Sequence, residues 1–384
     1  MAVLHSLGNN LVDSKEIADK ASSGALKRFD TSTKKKKNAK INFRTGTLTS
    51  RDLNDAGVVK FTPIGIGKPL SMEIVTIYSG DAPKKFLGGK PDLLVTSGTK
   101  YVHVNEAQPK AVNQLIKRIE KRTVYEPEAF TKGCPFIYYS PAVGAETILC
   151  SVELVANTFD KKGVKQLSGL LSAAAGTPLF APSNSLLMTG SAVVNLAGKI
   201  GDAIFESKPF LKDGIPIRFN TPTMRPSFAR TYVVCNDKHS SELEAYKAVT
   251  KTSSLGGDKI ILEHKQNGTE YRGKAPYIVV VIDGKEKPML NDFQPQLASA
   301  AMLNRFYGGD RQEATTKLLK EAMQLYNDQY YHNEANELKA KLKKMTPGSE
   351  SFELQLARFK AFQKNIKNKK FKVRTTGIPK KKKS

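Results

Sequence analysis

The sequence predicts an α+β protein: a β-rich, sandwich-like body with an apolar helical hairpin inserted in it, followed by a helical C-terminal region. Three observations carry that expectation. Short apolar runs punctuated by Gly and Pro fill residues 41–290. Residues 166–198 contain no charged side chain at all. After Pro288 the apolar positions switch to helical spacing. The expected division is a basic leader over 1–40, a β-rich domain over 41–290 with the hairpin insert at 164–206, a helical subdomain over 291–368, and a basic tail over 369–384.

The leader holds Lys34, Lys35, Lys36 and Lys37, a like-charge run that repels itself. It has no basic n-region followed by an apolar stretch, so it does not read as a secretory signal. Ile41–Leu48 begins with apolar and polar residues in alternation, as a half-buried strand should. Further strands are expected at Val58–Pro63, Met72–Tyr78, Asp92–Ser97, Lys100–Val104, Cys134–Ser140 and Glu146–Ala156. One helix is expected among them. Lys110–Lys121 places Ala111, Leu115, Ile116 and Ile119 on one face with basic residues opposite.

The hairpin has a first arm over Val164–Ala175, with Leu167, Leu170, Leu171 and Ala174 at helical spacing. A loop over Thr177–Asn184 holds Pro178 and Pro182, which exclude a single membrane-spanning helix. The second arm, Ser185–Phe205, carries Leu186, Leu187, Val193, Val194, Ile200 and Ile204. Its small residues suit close helix contact. The structural expectation is a buried helical pair; the functional one is an element that meets a membrane or another subunit.

Strand texture resumes with Thr231–Cys235 and Lys259–Glu263, and Ser240–Thr250 between them reads as a short helix. Asn267-Gly268 is the dipeptide of a type I′ hairpin turn. Tyr277–Ile282 lacks alternation, so both its faces should be buried. Pro295–Tyr307, Asp310–Lys344 and Ser349–Asn368 read as three helices, the last two joined at Pro347-Gly348 and hence antiparallel.

The chain of 384 residues carries a formal charge of +25. Arg358–Ser384 supplies twelve Lys or Arg and no Asp or Glu. So dense a positive field attracts polyanions, nucleic acid above all. The candidate contacts are Lys34–Lys37, Lys364, Lys367, Lys369, Lys370, Lys372, Arg374 and Lys380, Lys381, Lys382 and Lys383. Lysine dominates them, and lysine meets phosphate as a point charge, so the binding expected is salt-dependent and non-specific.

Catalytic patterns are weak. Gly65-Ile66-Gly67-Lys68 and Gly88-Gly89-Lys90 lack phosphate-loop spacing and are followed by Pro. No Gly-x-Ser-x-Gly occurs. Cys235, Asp237 and His239 bring together the groups of a thiol nucleophile, yet Cys235 ends an apolar run and reads as interior. Cys134, Cys150 and Cys235 form no zinc pattern and point to a reducing compartment: cytoplasmic, or nuclear in a eukaryotic source. No metal or cofactor is expected.

The function expected is a non-enzymatic binding or assembly protein whose lysine-rich termini neutralise nucleic-acid phosphates while the body makes protein contacts or self-associates. A viral structural protein or a defence complex would suit that layout. The alternative is a membrane-directed or self-oligomerising effector that uses the 166–198 hairpin, its basic ends on anionic lipid.

Overall fold

The computed structural model describes residues 2–7, 10–15, 40–42, 47–49, 61–83, 90–101, 110–127, 135–157, 179–181, 209–219, 229–252, 258–290 and 312–379. Within them the chain is β-rich with a few helices, the long ones C-terminal.

The larger sheet is antiparallel. Its order is β2 (Asn10–Asp13), β1 (Ala2–Leu7), β13 (Arg230–Cys235), β16 (Tyr277–Asp283), β5 (Leu70–Tyr78) and β8 (Val124–Tyr125), with β9 (Phe136–Ser140) also on β5. The second sheet runs β11 (Leu179–Ala181), β7 (Lys110–Ile116), β6 (Asp92–Tyr101), β10 (Thr147–Asn157) and β12 (Leu211–Arg218). Two ribbons stand apart: β3 (Lys40–Asn42) with β4 (Thr47–Thr49), and β14 (Tyr246–Thr252) with β15 (Asp258–His264).

One apolar cluster draws on both sheets. Val234, Val280, Met72 and Ile74 of the larger sheet join Val95, Ile148, Cys150, Val152 and Ile215 of the smaller. The Cys150 and Met72 sulfurs lie 3.1 Å apart between them. In the first part of β10, Ile148, Cys150 and Val152 are buried while Leu149 is exposed, the alternation of a strand with one face inward; from Val152 to Val155 both faces are covered. The other face of the larger sheet is covered as well. Leu4, Val233, Val279 and Tyr277 pack with Ile260 and Leu262 of the β14–β15 ribbon and with Leu243. With cover on both sides, β16 has no solvent face to alternate towards, which explains its unbroken Tyr-Ile-Val-Val-Val-Ile run.

Two long helices, α2 (Gln312–Leu342) and α3 (Glu350–Asn365), follow the short α1 (Ser240–Leu243). They form a layer on the sheets. Tyr331, Ala335, Leu338, Phe352, Phe359 and Phe362 enter the same core cluster as the strands. Ser349 caps α3 by accepting from the Phe352 amide at 3.2 Å. Docking is close at Gly144, where a Cβ would stand 2.2 Å from the Phe362 ring. Asn365, buried, donates to the Ala142 and Ala361 carbonyls and accepts from Ser140 Oγ. Arg358 pairs with Glu146 at 2.9 Å.

Several expectations need correction. Lys110–Lys121 is not a helix: β7 pairs with β6 from Leu93↔Ile116 to Ser97↔Ala111. Asn113, Gln114 and Leu115 are all buried, so the period-two signal is erased and tertiary pairing decides the conformation. Only Ser240–Leu243 of the expected 240–250 helix is helical, because the alternating, β-branched stretch from Tyr246 pairs with β15 instead. Asp92–Ser97 and Lys100–Tyr101 are one strand running through Gly98, not two with a turn there. Gly98 pairs with Ser151, and a Cβ at that position would meet Ser151 Oγ at 3.0 Å. Ile41–Leu48 is not one strand, since Lys40–Asn42 and Thr47–Thr49 pair with each other.

The Asn267-Gly268 connection is not type I′. Gly268 is left-handed (φ 69°) and Asn267 is not. Asn267 instead accepts from the Thr269 amide and hydroxyl, at 3.1 and 2.8 Å. The loop expected at 177–184 contains β11, paired with β7. The two hairpin arms, with Leu170, Leu171, Leu186, Leu187, Val193, Val194, Ile200 and Ile204, lie outside the described residues. So do Val58–Lys60 and the expected helix at 295–307.

Candidate nucleic-acid interface

The cations after α3 sit on an ordered strap, residues 366–379, that lies against α2. Ile366 turns the chain to extended backbone (φ −71°, ψ 119°). The Lys367 and Asn368 amides then donate to the two carboxylate oxygens of Asp328 at 2.7 and 2.9 Å. Asp328 is buried, so these charge-assisted bonds act without competition from water. Asn368 accepts from the Lys370 amide at 3.0 Å and caps a 3₁₀ turn over Lys369–Phe371.

Farther along, His332 Nδ1 lies 2.7 Å from the Phe371 carbonyl. A carbonyl only accepts, so Nδ1 carries the proton and Nε2 accepts from Asn336 Nδ2 at 2.9 Å. The Gln363 amide group brackets Val373, accepting from its N–H and donating to its carbonyl. Gly377, left-handed at φ 84°, brings the strap to Lys343: a Cβ there would stand 3.1 Å from that lysine's Cε. From Asp328 to Lys343 the strap thus follows α2 for about 22 Å at its rise of 1.5 Å per residue.

Ile366 and Val373 are buried, whereas Lys364, Lys367, Lys369, Lys370, Lys372 and Arg374 are exposed. Six of the expected contacts are thereby gathered on the end of α3 and on the strap. Exposed Lys341 in the last turn of α2, and Lys343 and Lys344 just after it, lie nearby. Lys364 meets Glu286 at 3.2 Å. Lys372 donates to the Gln363 carbonyl. Its pKa is lowered from the usual lysine range by partial burial, with Asp328 opposing and Lys367 reinforcing the shift. Lys34–Lys37 and Lys380–Lys383 lie outside the described residues.

No family model, curated protein or solved structure matches this chain.

A second basic feature was hidden by the expected helix. After β7 the turn 117–123 exposes Lys117, Arg118, Lys121 and Arg122. Arg118 and Arg122 are the two non-glycine residues with positive φ among those described, at 50° and 51°. Such a conformation costs about 1–2 kcal/mol for an L-residue. The turn is pinned through its backbone. The Arg118 amide donates to Asp92 Oδ1 (2.9 Å), that of Ile119 to Pro91 O (2.8 Å), and that of Arg122 to Gly80 O (2.7 Å). Arg122 also reaches Asp81 at 2.9 Å, and this hydrogen bond holds the Asp81 carboxyl below its usual range. The doubled Lys-Arg pair at 117–118 and 121–122 was the available signal, and a four-residue repeat reads as readily as a helix face.

The Cys235–His239 pair does not converge on a nucleophile. Cys235 is fully buried, which pushes its thiol up to about 12. His239 instead sits 3.7 Å from Glu242. Among the described residues there is no cluster of three metal-ligating side chains, and no helix is long and apolar enough to cross a membrane.

Proposed function

We propose that the protein is a non-enzymatic binding or assembly protein that engages nucleic acid non-specifically, through phosphate contacts of its lysine-rich C-terminal segment. The observation that supports this best is the strap. Its cations are exposed on a backbone fixed by Asp328, His332 and Gln363, so ordering entropy is settled on folding and not on binding. About four to eight phosphate contacts would weaken binding roughly 10²- to 10⁴-fold between 50 and 200 mM salt. The body is best read as a β-sandwich, given the apolar interior that the two sheets share, and it serves protein contacts or self-association.

The test is a fluorescence-anisotropy titration of the full chain against a labelled DNA and a labelled RNA at low ionic strength. A Lys367→Gln/Lys369→Gln/Lys370→Gln/Lys372→Gln variant is run beside it. Comparable binding of both nucleic acids by the unaltered chain, weakened at least tenfold and made less salt-dependent in the variant, is the expected outcome. No binding by the unaltered chain would remove the proposal.

A further inference from the structure

We propose that the turn after β7 is a second phosphate-binding surface, on the β body, built from Lys117, Arg118, Lys121 and Arg122 with Arg272 and Lys274 beside them. It is a distinct site from the strap and takes the phosphodiester backbone of a nucleic acid.

Spatial convergence is the first support. The Asp81 amide donates to the Lys274 carbonyl at 2.8 Å, and the Arg122 amide donates to the neighbouring Gly80 carbonyl at 2.7 Å. Arg272 Nη1 donates to the Arg122 carbonyl at 3.4 Å. The turn and the segment before β16 thus present their cations side by side. Few carboxylates answer them: Asp81 pairs with Arg122, and Glu270 pairs with Arg272 at 3.3 Å. Glu120 is taken by Lys90. Lys117 and Arg118 meet no carboxylate within ion-pair reach among the described residues.

Residue choice at the strained positions is the second. A turn that needs left-handed backbone is filled most cheaply by Gly or Asn. Here both such positions are Arg, four residues apart, in a turn whose backbone is held by bonds to Asp92, Pro91 and Gly80. Strain retained at exposed cations fits a role for the side chains that Gly would not serve. Arginine offers phosphate two parallel N–H donors where lysine offers a point charge.

The chemistry favours nucleic acid over a lipid surface. Ile119, the apolar side chain in the turn, is buried at 2 % exposure, so nothing projects that would enter a bilayer.

The experiment uses the full chain and a short fluorescein-labelled DNA duplex of arbitrary sequence in a salt series. The variant Lys117→Ser/Arg118→Gly/Lys121→Ser/Arg122→Gly removes the charge and relieves both left-handed positions, so its melting temperature should hold or rise. Binding should weaken at least tenfold, with a log–log salt slope shallower by about 2–4. Lys117→Glu/Lys121→Glu, which leaves the strained residues in place, should weaken binding too and guards against misfolding of the first variant. Unchanged affinity and slope in both variants overturns the second surface while leaving the strap untouched. No binding by the unaltered chain overturns both.

Discussion

The strap and the turn after β7 are both basic, exposed and held by backbone hydrogen bonds, yet they are built in opposite ways. The strap lies along a helix and takes its order from side chains beneath it: Asp328, His332 and Gln363 each grip a main-chain group. Its own conformation is relaxed, with left-handed backbone only at Gly377 among its described residues. The turn is gripped by the Asp92 carboxylate at the start of β6 and by the Pro91 and Gly80 carbonyls in the adjoining loops, and two arginines carry the strain. The difference teaches that charge density and charge placement are separate properties. The strap spreads five cations along fourteen residues of relaxed backbone; the turn sets four within seven residues, two of them on strained, left-handed backbone that its neighbours hold in place.

The largest effect should come from Phe359→Ala. Phe359 is 2 % exposed in the cluster that joins α3 to the sheets, and its truncation should cost about 3–5 kcal/mol in urea unfolding. Strap-dependent binding should fall with it, while the turn's contribution persists in whatever fraction of the body stays folded. Asp328→Ala sharpens the comparison, because it removes no cation yet leaves two strap amides without their acceptor. A loss of about 1.5–3 kcal/mol is expected, together with faster hydrogen exchange at the Lys367 and Asn368 amides.

Acid acts on the body through His5 in β1. Burial, and secondarily Arg230, lowers its pKa well below 6.5. Its Nε2–H donates to Ser14 Oγ at 2.6 Å, which in turn donates to the Val3 carbonyl, and its ring lies 4.8 Å from that of Tyr232. The unfolded chain therefore takes up a proton near pH 6.5 that the folded chain refuses. His5-linked stability is complete above pH 6.5 and is lost as pH falls from there towards the lowered value. Between pH 7.5 and 5.5 the unaltered protein should lose about 1 kcal/mol more than His5→Gln, read by denaturant unfolding at each pH. The smallest effect belongs to Arg118→Gly, which should be neutral or stabilising by up to about 1 kcal/mol, since glycine accepts the φ of 50° without strain.

Much of the architecture is legible in the residues. Tyr277–Ile282 announces a strand buried on both faces, and the Leu338, Leu342, Phe352 and Phe359 spacing announces two packed helices joined at Pro347-Gly348. What misleads is local ambiguity settled by distant partners. The residues of 110–121 satisfy a helix as well as a strand, and β6 decides between them. Gly98 reads as a turn until Ser151 is found across from it. The candidate site divides the same way. The lysines after α3 are plain in the composition, but nothing local says that Asp328, some forty residues earlier, holds them in line. The turn's cations are equally visible, and only their φ values set them apart.

The most direct test of the central claim is the slope of log binding constant against log salt for duplex DNA, measured on the unaltered chain and on the fourfold Lys→Gln strap variant. Fixed strap cations on phosphate predict a slope of about −4 to −7, shallower by about 3–4 in the variant. A slope near zero, or the same slope in both proteins, would contradict it.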